Sequence, residues 1–204
     1  MSVQVVFALL LVAGLALQLV GRMYLASLGR KAMNKQPDRI HLVTDLVTGA
    51  DEDGLCVQFA NPLLREGFVD AGTFSIPELP GVKVRFLVHQ GERAYAALYQ
   101  HPKVKEWCEV ISRYEDGTGA TFTQLAGSGL DPEPANLVVR RPGTGPVDLF
   151  QQALRERPAG ALIAVNRSNV GQLFCDAWAR SIAWRKSRGI SAREVAQVAR
   201  KRAA

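Results

Sequence analysis

Val82-Lys83-Val84-Arg85-Phe86-Leu87-Val88-His89, then Gln90-Gly91-Glu92-Arg93, then Ala94-Tyr95-Ala96-Ala97-Leu98-Tyr99-Gln100: residues 82–100 decide the fold. Val82, Val84, Phe86 and Val88 alternate with Lys83, Arg85, Leu87 and His89, the period of two that a half-buried strand requires. A polar four-residue break follows, and Ala94–Gln100 returns with Tyr95, Ala97 and Tyr99 on one face. Working outward, Trp107–Tyr114 and Thr118–Gln124 flank Glu115-Asp116-Gly117, the strongest hairpin signal in the chain. Upstream, Gly72–Ile76 reads as a strand closed by Pro77 and Pro80. Downstream, a Gly-, Ser- and Pro-rich gap over 126–134 leads into an edge strand at Asn136–Arg140. These segments predict an antiparallel β-meander of about four to six strands.

Helical spacing brackets the meander. Leu55–Arg65 has Leu55, Phe59, Leu63 and Leu64 on one face, although Pro62 removes a backbone donor. Pro146–Arg155 begins with a proline suited to a first helical turn. Ser168–Ser187 repeats apolar residues from Val170 to Trp184 and meets Gly189 as a C-cap. Ser191-Ala192-Arg193-Glu194 has the spacing of a capping box, opening a last basic helix. Ile40–Val47 reads as a short apolar strand, followed by an acidic loop at Gly49–Gly54.

The N-terminal stretch follows a different rule. From Val3 to Gly21 no residue is charged, and only Gln4 and Gln18 are strongly polar. At about 1.5 Å per residue, with a few flanking residues, that run reaches about 30 Å, the hydrocarbon thickness of a bilayer. A signal peptide needs a basic leader and a small-x-small cleavage site. Met1-Ser2-Val3 has no side-chain charge, and the run ends in Leu19-Val20-Gly21-Arg22. The fold class expected is therefore α+β: an N-terminal transmembrane helix, then one small domain with the meander packed by helices. The expected organisation is a transmembrane helix over 1–21, a basic juxtamembrane stalk over 22–39, the α+β domain over 40–189 and a basic C-terminal helix over 190–204.

Charge is laid out unevenly. Residues 22–39 hold five basic residues against one acidic, and 167–204 hold nine against two; residues 40–166 hold eleven basic against sixteen acidic. The net +6 thus belongs to the two flanks, and the domain between them is acidic. A nucleic-acid-binding core would carry its basic patch on the folded face, so no nucleic-acid partner is expected. Lys and Arg near the apolar run all lie on its C-terminal side, which places the soluble domain in the cytoplasm with the N-terminus outside. Arg22, Arg30, Lys31, Lys35, Arg200, Lys201 and Arg202 are the expected membrane-surface contacts. Each basic residue near an anionic leaflet contributes about 1 kcal/mol.

Reactive chemistry is sparse. Cys56, Cys108 and Cys175 are too widely spaced for a zinc site or disulfide framework and read as reduced thiols. Cys108 with His101 or His89 is the one nucleophile–base pair worth naming, and Cys108 also reads as a small core residue. Asp51-Glu52-Asp53-Gly54 fails as a calcium loop because position 12 from Asp51 is Pro62. Asp116-Gly117-Thr118-Gly119 and Gly143-Thr144-Gly145-Pro146 lack the lysine of a phosphate loop and read as turns. Lys83, Arg85, Arg113, Tyr95, Tyr99 and Tyr114 are candidates for an open, ligand-facing sheet surface. No cofactor and no metal is expected. The function expected is that of a single-pass, non-enzymatic membrane protein whose soluble domain binds a protein partner, as in an accessory subunit of a membrane complex. The alternative is a tethered ligand-binding domain or enzyme using the open face.

Overall fold

The computed structural model describes residues 21–44 and 56–203, apart from 22, 25, 26, 30, 32, 128 and 129 and the side chains of 105, 199 and 201–203. Among the described residues no helix is long and apolar enough to cross a membrane. The expected span over 1–21 falls outside them except for Gly21, as does the acidic loop at 49–54. The chain divides into two compact units, residues 37–127 with 132–181, and residues 1–36 with 128–131 and 182–204.

The larger unit is built on a seven-stranded mixed sheet with strands in sequence order. They are β1 (Val43–Thr44), β2 (Val69–Ser75), β3 (Lys83–His89), β4 (Ala94–His101), β5 (Lys105–Arg113), β6 (Gly119–Thr123) and β7 (Asn136–Arg140). The meander is present from β1 to β6, every neighbouring pair antiparallel. Two expectations need correction: there are seven strands, and β7 pairs with β6 in parallel. The connection from 124 to 135 is twelve residues, long enough to carry the chain back for a parallel pairing that a tight turn forbids. At the β5–β6 turn, Gly117 takes φ 85° and its N–H donates to the Tyr114 carbonyl at 3.0 Å, a geometry glycine adopts without strain. A bulge in β2 between Asp70 and Gly72 is held by the Gly72 N–H donating to Asp70 Oδ1 at 2.8 Å.

Helices are α1 (Val57–Arg65), α2 (Pro146–Glu156), α3 (Val170–Arg188) and α4 (Ala192–Ala203). Pro62 sits inside α1 without ending it, because Ala60 and Leu63 on the inner face are fully buried and outweigh one lost hydrogen bond. α1 and α2 cover one side of the sheet, burying Leu87, Leu98, Cys108, Val110, Phe122, Leu149 and Phe150. The N-terminal half of α3 and the extended segment from Ile40 cover the other, burying Val84, Phe86, Val88, Tyr95, Ile111, Val170 and Phe174. The expected open face does not exist in the sheet's centre. β4 explains why: Ala94-Tyr95-Ala96-Ala97-Leu98 is apolar on both faces, and every one of the five is buried. An antiparallel strand with that pattern needs a layer on each side. Each large apolar side chain so hidden contributes about 1.5–3 kcal/mol.

Within the smaller unit, the described residues between 21 and 34 are helical. That helix approaches residues 190–195 at Gly29, where a methyl group would lie 3.0 Å from Ile190 Cβ and Val195 Cγ2. Met33 is buried, and Lys186 Nζ donates to the Gln36 carbonyl at 3.0 Å. The capping box forms as expected: the Ser191 N–H donates to Glu194 Oε2 at 2.9 Å, and the Glu194 N–H donates to Ser191 Oγ at 3.2 Å. Its reach is greater than the sequence suggests. Arg188 Nη2 donates to Glu194 Oε2 at 2.6 Å, and the Asp131 N–H donates to Glu194 Oε1 at 3.0 Å, so one carboxylate ties α3, α4 and the 130–131 loop. Burial alone would raise this carboxyl, but the Asp131 and Ser191 backbone donors, the Ser191 hydroxyl and Arg188 outweigh it and hold it below the usual range.

A carboxyl with a lowered folded-state pKa stabilises the fold above its unfolded value, about 4.3, and loses that contribution as pH falls through the folded value. Glu194→Gln is therefore expected to lower stability by about 2 kcal/mol at neutral pH. The gap to the native chain should close under acid conditions, as followed by thermal unfolding between pH 2 and 7.

Candidate functional site: a carboxyl cluster inside the sheet

The register of three strands brings polar groups together where α3 covers the sheet. Tyr99 pairs with Trp107, Ala97 with Glu109, and Tyr95 with Ile111 across β4 and β5. Glu109 then pairs with Thr123, Ile111 with Thr121, and Arg113 with Gly119 across β5 and β6. Glu109 thus sits between Ala97, which leaves room, and Thr123, with Tyr99 and Trp107 one row away. Tyr99 Oη donates to Glu109 Oε2 at 3.2 Å. The Thr123 hydroxyl and the Trp107 indole lie beside the same carboxylate, but the indole N–H is buried without a hydrogen-bond partner. Tyr99 is held in place by stacking on Trp107, ring centroids 4.5 Å apart and 11° from parallel.

Burial pushes the Glu109 carboxyl above the ordinary carboxylate range, against the pull of Thr123, Tyr99, Trp107 and Arg113 around it. The same burial, with Glu109 alongside, pushes the Tyr99 phenol well above its ordinary value. Tyr95 is fully buried, and its hydroxyl faces the Arg113 guanidinium without a hydrogen bond of good geometry. Arg113 is also buried; its Nη1 donates to Asn136 Oδ1 at 3.3 Å, and Thr121 Oγ1 donates to the same oxygen at 3.3 Å. Gly119 is required here, since any Cβ would collide with the guanidinium and with Asn136. The arrangement holds a proton and presents donors; it contains no nucleophile beside a base.

The sequence candidates are distributed as follows. Arg113, Tyr95 and Tyr99 share the cluster. Arg85 lies on the opposite face, in an ion pair with Asp70. Lys83 shares that face by register. Tyr114 donates to the Pro158 carbonyl at 2.5 Å, at the far end of β5. Cys108 is fully buried on the α1–α2 side, while His101 lies on the other side beside Trp107, ring centroids 6.4 Å apart. The pleat alone separates that pair. His89 shares the Cys108 face but sits four residues away in register, about 13 Å at 3.3 Å per residue, and both its ring nitrogens are engaged. Burial pushes the Cys56 thiol up to about 12 and Cys108 higher still, so neither supplies a thiolate. The Asp116–Gly119 segment is the hairpin turn, Asp116 Oδ1 accepting from the Thr118 N–H and hydroxyl. Gly145 serves as the N-cap of α2.

Of the expected membrane-surface residues, Lys31, Lys35 and Arg200 are exposed in the smaller unit. Arg22 and Arg30, and the side chains of Lys201 and Arg202, lie outside the described part. Among the described residues no group of histidine, cysteine and carboxylate side chains is arranged to hold a metal ion. Glu109, Thr123 and Asn136 were not singled out by sequence. The available signal was a glutamate on the same strand face as Trp107 and Ile111, a charge where the pattern calls for an apolar residue.

Compared with family models, with curated proteins and with solved structures, the chain matches none.

Two measurements check this geometry. The unfolded state ionises Glu109 near pH 4.3, whereas the folded state holds the proton to higher pH. The native chain should therefore lose stability relative to Glu109→Gln as pH rises through that window, with the gap constant above it; a pH-independent gap would contradict the burial. Thiol titration of the folded protein should label Cys175, the half-buried cysteine, and reach Cys56 and Cys108 only on unfolding.

Proposed function

We propose that the protein is a single-pass membrane protein that acts by binding rather than catalysis, with its α+β domain held at the cytoplasmic surface and engaging a protein partner as an accessory subunit of a membrane complex. The observation that carries this reading is the meeting of the two basic flanks. The helix that follows the apolar run approaches the start of the C-terminal helix through Gly29, and Lys186 reaches the Gln36 carbonyl. Residues 22–36 and 182–204, which hold eleven of the fourteen basic residues of the two flanks, belong to this smaller unit, while the larger unit carries the acidic balance. A basic unit adjoining an apolar run fits an anionic leaflet, and the acidic balance of the larger unit leaves that unit to a protein partner.

A second reading rests on Glu109. A proton-holding carboxyl beside the Tyr99 hydroxyl, Thr123 and an unpartnered Trp107 indole N–H is suited to a small polar ligand.

On the first reading, the native chain stays in the membrane pellet after alkaline carbonate washing and brings down a stoichiometric companion in mild detergent. A solitary monomer under those conditions would count against the partner. Release by carbonate would count against the anchor.

A further inference from the structure

The helix between residues 21 and 34 shows one covered side and one bare side. Gly29 and Met33 face the packing inside the smaller unit, and Met33 is only 5 % exposed. Tyr24, Leu28, Lys31 and Lys35 follow at spacings of four, three and four, which at 100° per residue confines them to an arc of about 60° on the opposite side. Along that stripe Tyr24 is 63 % and Leu28 40 % exposed, and Met23 beside it is 66 % exposed. Lys31 and Lys35 are exposed as well. Among the described residues, three of the large apolar side chains most open to solvent therefore fall within six residues, just past Arg22, which closes a sequence run without a charge.

Order along the stripe matters. The apolar members stand nearest the end of the run and the lysines stand farther away. Measured from Gly21 at about 1.5 Å per residue, Tyr24 lies about 4.5 Å, Leu28 about 10 Å and Lys31 about 15 Å along the axis. The headgroup layer on each side of the hydrocarbon is about 5–8 Å deep. Tyrosine is enriched at that depth because its ring is apolar and its hydroxyl is hydrated. Lysines just beyond it meet the anionic surface potential.

We infer that Met23 and Tyr24 form an interfacial collar seated in the lipid headgroup layer, with Tyr24 as its anchor, Leu28 at its outer edge and Lys31 and Lys35 contacting anionic headgroups above it. The inference rests on the anchor reading and adds a depth to it: a lipid interface, rather than a protein, covers this side of the helix. The charge gradient and the continuity with the apolar run select lipid as the occupant. The buried side, fixed by Gly29 against Ile190 and Val195, turns the stripe outward.

The test uses the full chain with Cys175→Ser, since Cys56 and Cys108 are fully buried. Single cysteines at Tyr24→Cys, Leu28→Cys and Val104→Cys, all exposed positions, carry an environment-sensitive fluorophore in vesicles of phosphatidylcholine and phosphatidylglycerol with a shallow nitroxide lipid. Quenching should be strongest at 24, weaker at 28, and both at least about twofold above the domain control at 104. Probes at 24 and 28 no more quenched than 104, in vesicles that retain the protein through a carbonate wash, overturn the collar and leave the anchor standing. Loss of the protein in that wash overturns both.

Discussion

Strand β4 has to be hidden from water on both sides, and the arrangement of the larger unit follows from that. Ala94, Tyr95, Ala96, Ala97 and Leu98 are five consecutive buried residues in an antiparallel sheet. A single helical layer would leave either Tyr95 and Ala97 or Ala96 and Leu98 exposed. α1 and α2 supply one cover, and α3 with the segment around Ile40 supplies the other. That segment is tied down by the Trp178 indole N–H donating to the Pro37 carbonyl at 3.1 Å and by His41 Nδ1 against Glu78 Oε1 at 2.5 Å. The chain entering the domain is thereby part of its core, where a free stalk would have left Val84 and Phe86 uncovered.

Covering both faces has a cost in the middle of the sheet. Glu109 lies on the α3 side, and its carboxyl is sheltered with it. The fold answers with the Tyr99 hydroxyl donating to the carboxylate and with Trp107 and Thr123 beside it, but burial still dominates and the proton is retained to higher pH than usual. Arg113 is packed over Gly119 and its Nη1 donates to Asn136, while its Nε is buried without a partner. Such a network favours a unique register, because shifting β5 by one residue would turn Glu109 toward the α1–α2 core and bring Cys108 to the polar side.

The smaller unit is organised by a different interaction, the Glu194 carboxylate. Its five donors come from Ser191, Arg188 and Asp131, so a local helix cap becomes a three-way junction. Around it the positive charge of the two flanks is gathered, and Arg188 also stacks over Trp184 at 4.9 Å. Concentrating charge in this way is tolerable because exposed lysines such as Lys31 and Lys35 remain hydrated and their repulsion is screened by salt.

Local periodicity was enough to place β3, β4, the Glu115–Gly117 turn, α2, α3 and the capping box, because each depends on residues within a few positions of one another. The uneven charge and the apolar run are also properties of the string itself. The parallel seventh strand, the second covering layer and the Glu109 cluster were decided only in three dimensions. Whether β7 runs with or against β6 depends on how a twelve-residue connection crosses the sheet. A hydrogen bond from Tyr99 to Glu109 exists only once two strands have found their register. Sequence reports which side of a strand a residue takes, but partners across the sheet are chosen by packing of the whole core, and that choice is not encoded within any one segment.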